Sequence, residues 1–224
     1  SWTINDEETW DFHLRRGVVF HSGDPFTADD VVFSIHRAIN WEGSEISGDV
    51  ATLASAEALD DFTVRITTRG PDPILLYRLA AILIMDREST EQAVAEHGEG
   101  WMVDHPNGTG PYRFVEWRRE EYIALDAFAD SWRGEPDIQH VRFRPRGTDQ
   151  TRMAALLTGE SHLVTDVPVR DIAHIVNNPS FQLIQRPSLR LIYLGVDCGR
   201  DQSPGLPDSP PNPFRDRRVR EAVY

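Results

Sequence analysis

Residues 10–38, WDFHLRRGVVFHSGDPFTADDVVFSIHRA, confine the early part of this chain to a strand, a tight connection and a capped helix. Trp10, Phe12 and Leu14 alternate with Asp11, His13 and Arg15, the period-two pattern of a half-buried strand. Gly17 interrupts the pattern, Val18 to Phe20 resume it, and Ser22-Gly23-Asp24-Pro25 supplies turn chemistry. Thr27-Ala-Asp-Asp30 then reads as a capping box, in a short-armed version with Asp where Glu or Gln is commoner. Phe26 and Val31 stand where a hydrophobic staple sits, and Asp29 and Asp30 suit the positive end of a helix. Val31, Val32, Ile35, Ala38 and Ile39 give that helix one apolar face.

Composition excludes several roles. The 224 residues carry 36 acidic side chains against 23 basic ones, a net charge of −13, and every basic residue is Arg. A surface of that sign repels phosphate backbones and anionic lipid, so nucleic acid and membrane surfaces are not expected partners. The Arg-only usage reflects genome composition rather than mechanism. The single cysteine, Cys198, allows no disulfide within the chain, and with no activating His beside it a buried, inert thiol is expected. No run reaches the roughly 18 apolar residues of a membrane span, and no signal peptide is visible.

Further along, 41–49 reads as a surface loop, and 54–59 with 62–67 as a β-hairpin about Asp60-Asp61. Gly70-Pro71-Asp72-Pro73 opens a short helix through Leu75, Leu76 and Leu79, while 80–85 suits a helix end or a buried strand equally. A helix over 89–96 ends at Gly98-Glu99-Gly100. Strands are expected at 112–117, 122–127, 138–143, 163–167, 181–185 and 189–196, with helices at 148–157 and 169–176. Five Pro within 201–213 make an extended loop, and 217–224 starts a helix that runs to the last residue without a cap. The absent start methionine and this uncapped helix lead us to expect an internal fragment of a longer protein.

The string from Phe12 to Ser34, F-x-L-R-x-G-V-x-F-H-x-G-x-P-F-T-A-x-D-V-V-F-S, closely resembles the signature of the family 5 extracellular solute-binding proteins. These are the peptide, oligopeptide and nickel receptors of bacterial ABC importers. Four further segments resemble the family in the expected order: His105 to Tyr112, Trp132-x-Gly134-x-Pro136, the Arg152 to Glu160 helix, and Pro213 to Ala222. His162 departs from the pattern, which commonly has Asp there. The resemblance implies an α/β (α+β mixed) fold of the type II periplasmic-binding kind with two-lobe cluster C architecture. It further implies a first lobe over 1–185, including an extra subdomain at about 10–105. The lobe crossing and a truncated second lobe would occupy 186–224.

The functional implications are equally specific. The resemblance implies an extracytoplasmic receptor, periplasmic or lipid-anchored, that captures a di- or oligopeptide by lobe closure and hands it to an ABC permease as a monomer. Nickel chelates, oligosaccharides and opines are alternative cargoes, and a sensor module or an exported hydrolase are alternatives of another class. The ligand-binding candidates are Met85, Asp86, Arg87, Thr109, Asp166, Val167 and Tyr193, all in segments expected at strand ends, loops or the hinge. No cofactor is expected. The eight His show no metal-ligand spacing, and His21 is expected to stabilise its turn. Gly108-Thr109-Gly110 lacks the Lys-Ser/Thr ending of a phosphate loop, and no G-x-S-x-G nucleophile motif occurs.

Overall fold

The computed structural model describes residues 1–41, 46–187, 192–202 and 211–223. Cα packing divides the chain into two compact units, Ser1–Arg152 and Met153–Tyr224. The first unit begins with strands β1 (Trp2–Ile4) and β2 (Thr9–His13), followed by helices α1 (Ala28–Asn40) and α2 (Ser47–Val50). The hairpin β3 (Leu53–Asp60) and β4 (Thr63–Thr68) leads into α3 (Leu75–Leu79), α4 (Arg87–His97) and α5 (Trp101–Asp104). Strands β5 (Tyr112–Arg118), β6 (Tyr122–Ala127) and β7 (His140–Phe143) complete it, and α6 (Asp149–Leu157) spans the division between units.

The first four strands form one antiparallel sheet in the order β1-β2-β4-β3. Register places Trp10 opposite Ile66 and Ile66 opposite Ala56, while Phe12 faces Val64 and Val64 faces Ala58. Because side chains alternate across the sheet, these rows share one face. Trp10, Ala56, Val64 and Ile66 are buried there with Ile35 and Ala38 of α1, Leu53 and Leu75. The helix and hairpin expectations hold for α1, β3, β4, α3 and α4. The capping box forms, and the Asp30 carboxylate accepts the Thr27 backbone N–H at 2.8 Å and its hydroxyl at 3.0 Å.

On the opposite face, Arg65 donates twice to the Asp11 carboxylate, at 2.7 and 2.8 Å. Those bonds, joined by one from Asn5, lower the Asp11 pKa to about 2. An unfolded Asp titrates near 3.9, so the pair stabilises the fold above about pH 4, and the contribution fades as pH falls toward 2. Arg65→Met is therefore expected to be less stable than the parent at pH 7. Urea midpoints stepped from pH 7 to pH 2 should show the gap closing below pH 4; a gap constant with pH would locate the effect elsewhere.

Several expectations are corrected. Val18 to Phe20 form no strand; Val19 makes a single bridge to Pro25, and the segment closes as a turn with Phe20 N–H on Asp24 O at 2.8 Å. Residues 80–85 are neither helix nor strand beyond the turn that ends α3. Part of the expected 41–49 loop is helical as α2, and 42–45 lie outside the described residues.

The second sheet is antiparallel in the order β5-β6-β7, as expected from its three runs, with a bulge between Phe114 and Glu116. In the second unit, Val169–Asp171 forms a 3-10 turn running into α7 (Ile172–Val176), and Pro213–Arg215 another before α8 (Arg217–Val223). The expected strands at 163–167 and 181–185 are absent, as is the described part of 189–196, residues 192–196. A strand needs a ladder partner for its backbone groups, and the described residues of this unit pair only Gln202 with Pro211. Residues 189–191 and most of the Pro-rich loop lie outside the described residues. Cys198 is exposed rather than buried. It sits in a bend where the Asp197 side chain accepts Gly199 and Arg200 N–H groups at 3.0 and 3.2 Å, so no strand carries it inward.

Candidate functional site

Four segments far apart in sequence meet at the N-terminal end of α1. Asp30, only 6% exposed, turns its second carboxylate oxygen to the Arg87 backbone N–H at 2.9 Å. One turn later the Ser34 hydroxyl donates to the Asp30 carbonyl at 2.7 Å and accepts the Met85 N–H at 2.8 Å. Residues 85–87 are thus hung from the helix by backbone groups, which satisfies N–H groups that have no strand partner.

Asp86 is buried and caps α4, accepting the Ser89 N–H at 3.3 Å. Its other oxygen accepts the Asn107 amide at 3.1 Å. That same amide donates to Ser22 Oγ at 3.1 Å and Ser89 Oγ at 3.3 Å, while Asn107 Oδ1 accepts the Ser22 N–H at 3.2 Å. His21 completes the knot. Its N–H donates to Gly108 O at 2.8 Å, and its ring Nε2 meets Gly110 O at 3.0 Å. A carbonyl only accepts, so Nε2 carries hydrogen and Nδ1 is left to accept the Gly108 N–H at 3.4 Å. The ring also sits edge-on to Phe128 at 5.0 Å. The His21 ring therefore anchors the Gly-rich loop, while its own turn is closed by backbone bonds among Phe20, Gly23 and Asp24.

Beside this knot lies a cavity of about 340 Å³ bordered by Ser22, Trp101, Met102, Asn107, Arg113 and Phe114, among others. His97, Trp101 and His105, spaced four apart, stack in one column at 4.1 and 3.6 Å between ring centres.

Of the residues named from sequence, Met85, Asp86, Arg87 and Thr109 come together here. Met85 and Thr109 are half-buried, and the Arg87 guanidinium reaches Asp29 at 3.5 Å from an exposed position. Asp86 faces inward and positions its neighbours. Asp166, Val167 and Tyr193 belong to the second unit: Asp166 is exposed in a left-handed conformation (φ 54), Val167 is half-buried, and Tyr193 is 82% exposed. Sequence reasoning missed Asn107 as the hub. Its signal was present, since Asn among Pro and Gly commonly bonds to nearby backbone in turns. Among the described residues, no three His, Cys, Asp or Glu side chains gather to hold a metal ion, and no helix is long and apolar enough to cross a membrane.

Comparison with known proteins agrees with this architecture. The glutathione-binding protein GsiB of Pectobacterium atrosepticum is 29% identical over 224 residues, covering 98% of this chain and 40% of that protein. The Campylobacter jejuni protein NikZ, solved in complex with Ni(L-His), superposes with a TM-score of 0.71 at 27% identity, over 80% of this chain and 36% of that one. Helicobacter pylori DppA, an ABC transporter-associated periplasmic binding protein solved with the peptide STSA, gives 0.69 at 29% identity, over 80% and 39%. The chain thus spans about 40% of the length of the curated relatives it matches. GsiB and DppA are both binding proteins. The middle section of the bacterial extracellular solute-binding proteins, family 5, matches residues 1–224 from end to end, and the chain belongs to that family.

Proposed function

We propose that the full polypeptide is the extracytoplasmic receptor of an ABC importer, working as a monomer in the periplasm or on a lipid anchor and carrying short peptides or peptide-like solutes. The observation that carries this reading is the match to a glutathione-binding protein over 98% of the chain, glutathione being itself a modified tripeptide. The peptide bound to the similar DppA supports it. Ligand would enter between two lobes and draw them together, because only the closed state contacts it from both sides. In this proposal the first lobe runs to about residue 185 and the crossing to the second lobe comes after it. Met85, Arg87 and Thr109 contribute to one wall with Asp86 holding them in place, and Asp166, Val167 and Tyr193 contribute further contacts. Extended peptides are gripped through their own amides and termini, which tolerates varied side chains.

A nickel chelate is the second reading, favoured by the likeness to NikZ with its Ni(L-His). Native mass spectrometry of the full-length protein, purified without added ligand, separates the two. A heterogeneous series of adducts that fragment as short peptides is expected. A single metal-containing mass would transfer the reading to chelates. An apo mass, with no binder found in a mixed peptide, chelate and opine screen, would overturn the receptor assignment.

A further inference from the structure

We propose that the cavity beside the His21–Asn107 knot is a second binding site, for a small monocarboxylate with an apolar or aromatic body, held by Arg113. The cavity lies wholly within the first unit, and its lining contains no carboxylate at all. In a chain with 36 acidic residues against 23 arginines, that absence is itself selective. Two carboxylates stand just behind that lining and are already hydrogen-bonded, Asp86 to the Ser89 N–H and the Asn107 amide and Asp126 to His140.

Arg113 is the cation at this cavity. Its guanidinium, exposed on β5, makes no hydrogen bond, ion pair or ring contact among the described residues, unlike the two arginines at the far end of the strand. Arg118, which ends β5, pairs with Glu116 at 3.3 Å, and the adjoining Arg119 pairs with Asp104 at 2.7 Å while covering Trp117. The natural partner for Arg113 across the ladder is Asp126, but that carboxylate is taken by His140 Nδ1 at 2.7 Å. A guanidinium presents two parallel N–H groups that match one carboxylate, so Arg113, exposed on β5, can exchange its water for a carboxylate brought by a ligand.

Two more donors point the same way. The Ser22 and Ser89 hydroxyl oxygens each accept the Asn107 amide, at 3.1 and 3.3 Å, and neither hydroxyl hydrogen has an acceptor among the described residues. Met102, Phe114 and Ala93 supply apolar wall, and the stack with His97 and His105 holds the Trp101 indole fixed at the rim. One unneutralised cation with apolar walls suits a monoanion with an organic body better than phosphate, whose second charge would go unmatched. About 340 Å³ accommodates a body of one ring and one short chain.

Hippurate is the probe, with its neutral amide hippuramide as control, titrated calorimetrically into the full-length protein. Hippurate is expected to bind about tenfold to a hundredfold more tightly than hippuramide, the range of a charge-assisted hydrogen bond. Arg113→Gln should erase that preference and Arg113→Lys restore part of it. Because Arg113 has no partner to lose, neither change should alter the unfolding midpoint. Equal binding of the two probes, hippurate binding unchanged in Arg113→Gln, or no binding of either would overturn the proposal. So would displacement of hippurate by saturating peptide cargo, which would place it in the transport cleft. Failure of cargo binding with hippurate binding intact would instead strike only the transport reading.

Discussion

Phe20→Ala is expected to destabilise the protein by about 4 kcal/mol, within the usual range for emptying a fully enclosed aromatic site. The ring is 0% exposed and meets Phe26 edge-on at 6.1 Å between centres. Its backbone closes the turn at both ends, through its N–H to Asp24 and its carbonyl to Gly23 at 2.9 Å. Collapse around the missing ring is therefore opposed by a backbone already fixed by hydrogen bonds, which favours the upper part of the range. Urea unfolding followed by circular dichroism measures the loss. A cost below about 1 kcal/mol would mean that the turn relaxes into the space and is not part of the core. His21 is the next residue, so the same variant should loosen the 107–110 loop, seen as faster amide exchange at Gly108.

Asp30→Ala comes second, at about 3 kcal/mol. The carboxylate is buried and accepts three hydrogen bonds, two from Thr27 and one from the Arg87 N–H. Loss of a helix cap costs about 1 kcal/mol. The Arg87 N–H, left facing a methyl group in a part-buried position, adds roughly 1–3 kcal/mol more. Asp30→Asn keeps the shape and some acceptor capacity and should cost about half as much. Hydrogen exchange distinguishes this account from a general loss of stability: Thr27 and Arg87 amides should lose protection before those of β4. If all amides lose protection together, the carboxylate is not the specific tie between α1 and residues 85–87.

Much of this was legible in the chain because local chemistry and the tertiary result agree. Thr27 and Asp30 announce a helix start that the fold uses. The alternation of Phe62, Val64 and Ile66 predicts a half-buried strand, and β4 shows buried and half-exposed residues in strict turn. Motifs distant in sequence also meet, as where the Arg15 guanidinium lies 4.8 Å from the Trp132 ring centre. Local pattern fails where a partner decides the outcome. Residues 80–85 look like a strand or a helix end, yet the run ends with Met85 held by Ser34, 51 positions away. Leu163 to Val167 and Phe181 to Gln185 have strand-like composition and no strand beside them in the described residues. Asp86 stands among the ligand-binding candidates named from sequence, yet it is buried; nothing nearby in sequence reveals Asn107, 21 residues away, as its partner. Cys198 read as buried because Val196 and Asp197 suggested a strand end that does not form.

The bond between His21 and Gly110 spans 89 positions of sequence. Closing a segment that long costs chain entropy before any contact repays it, and contacts of high sequence separation slow folding. The hairpin of β3 and β4, closed by a two-residue turn, has no such barrier and should form early as a platform for β2 and α1. The His21 turn can then capture 108–110 only after ribosomal synthesis has passed residue 110. The first sheet should therefore form ahead of its latch, with the bonds from His21 to Gly108 and Gly110 closing late in folding.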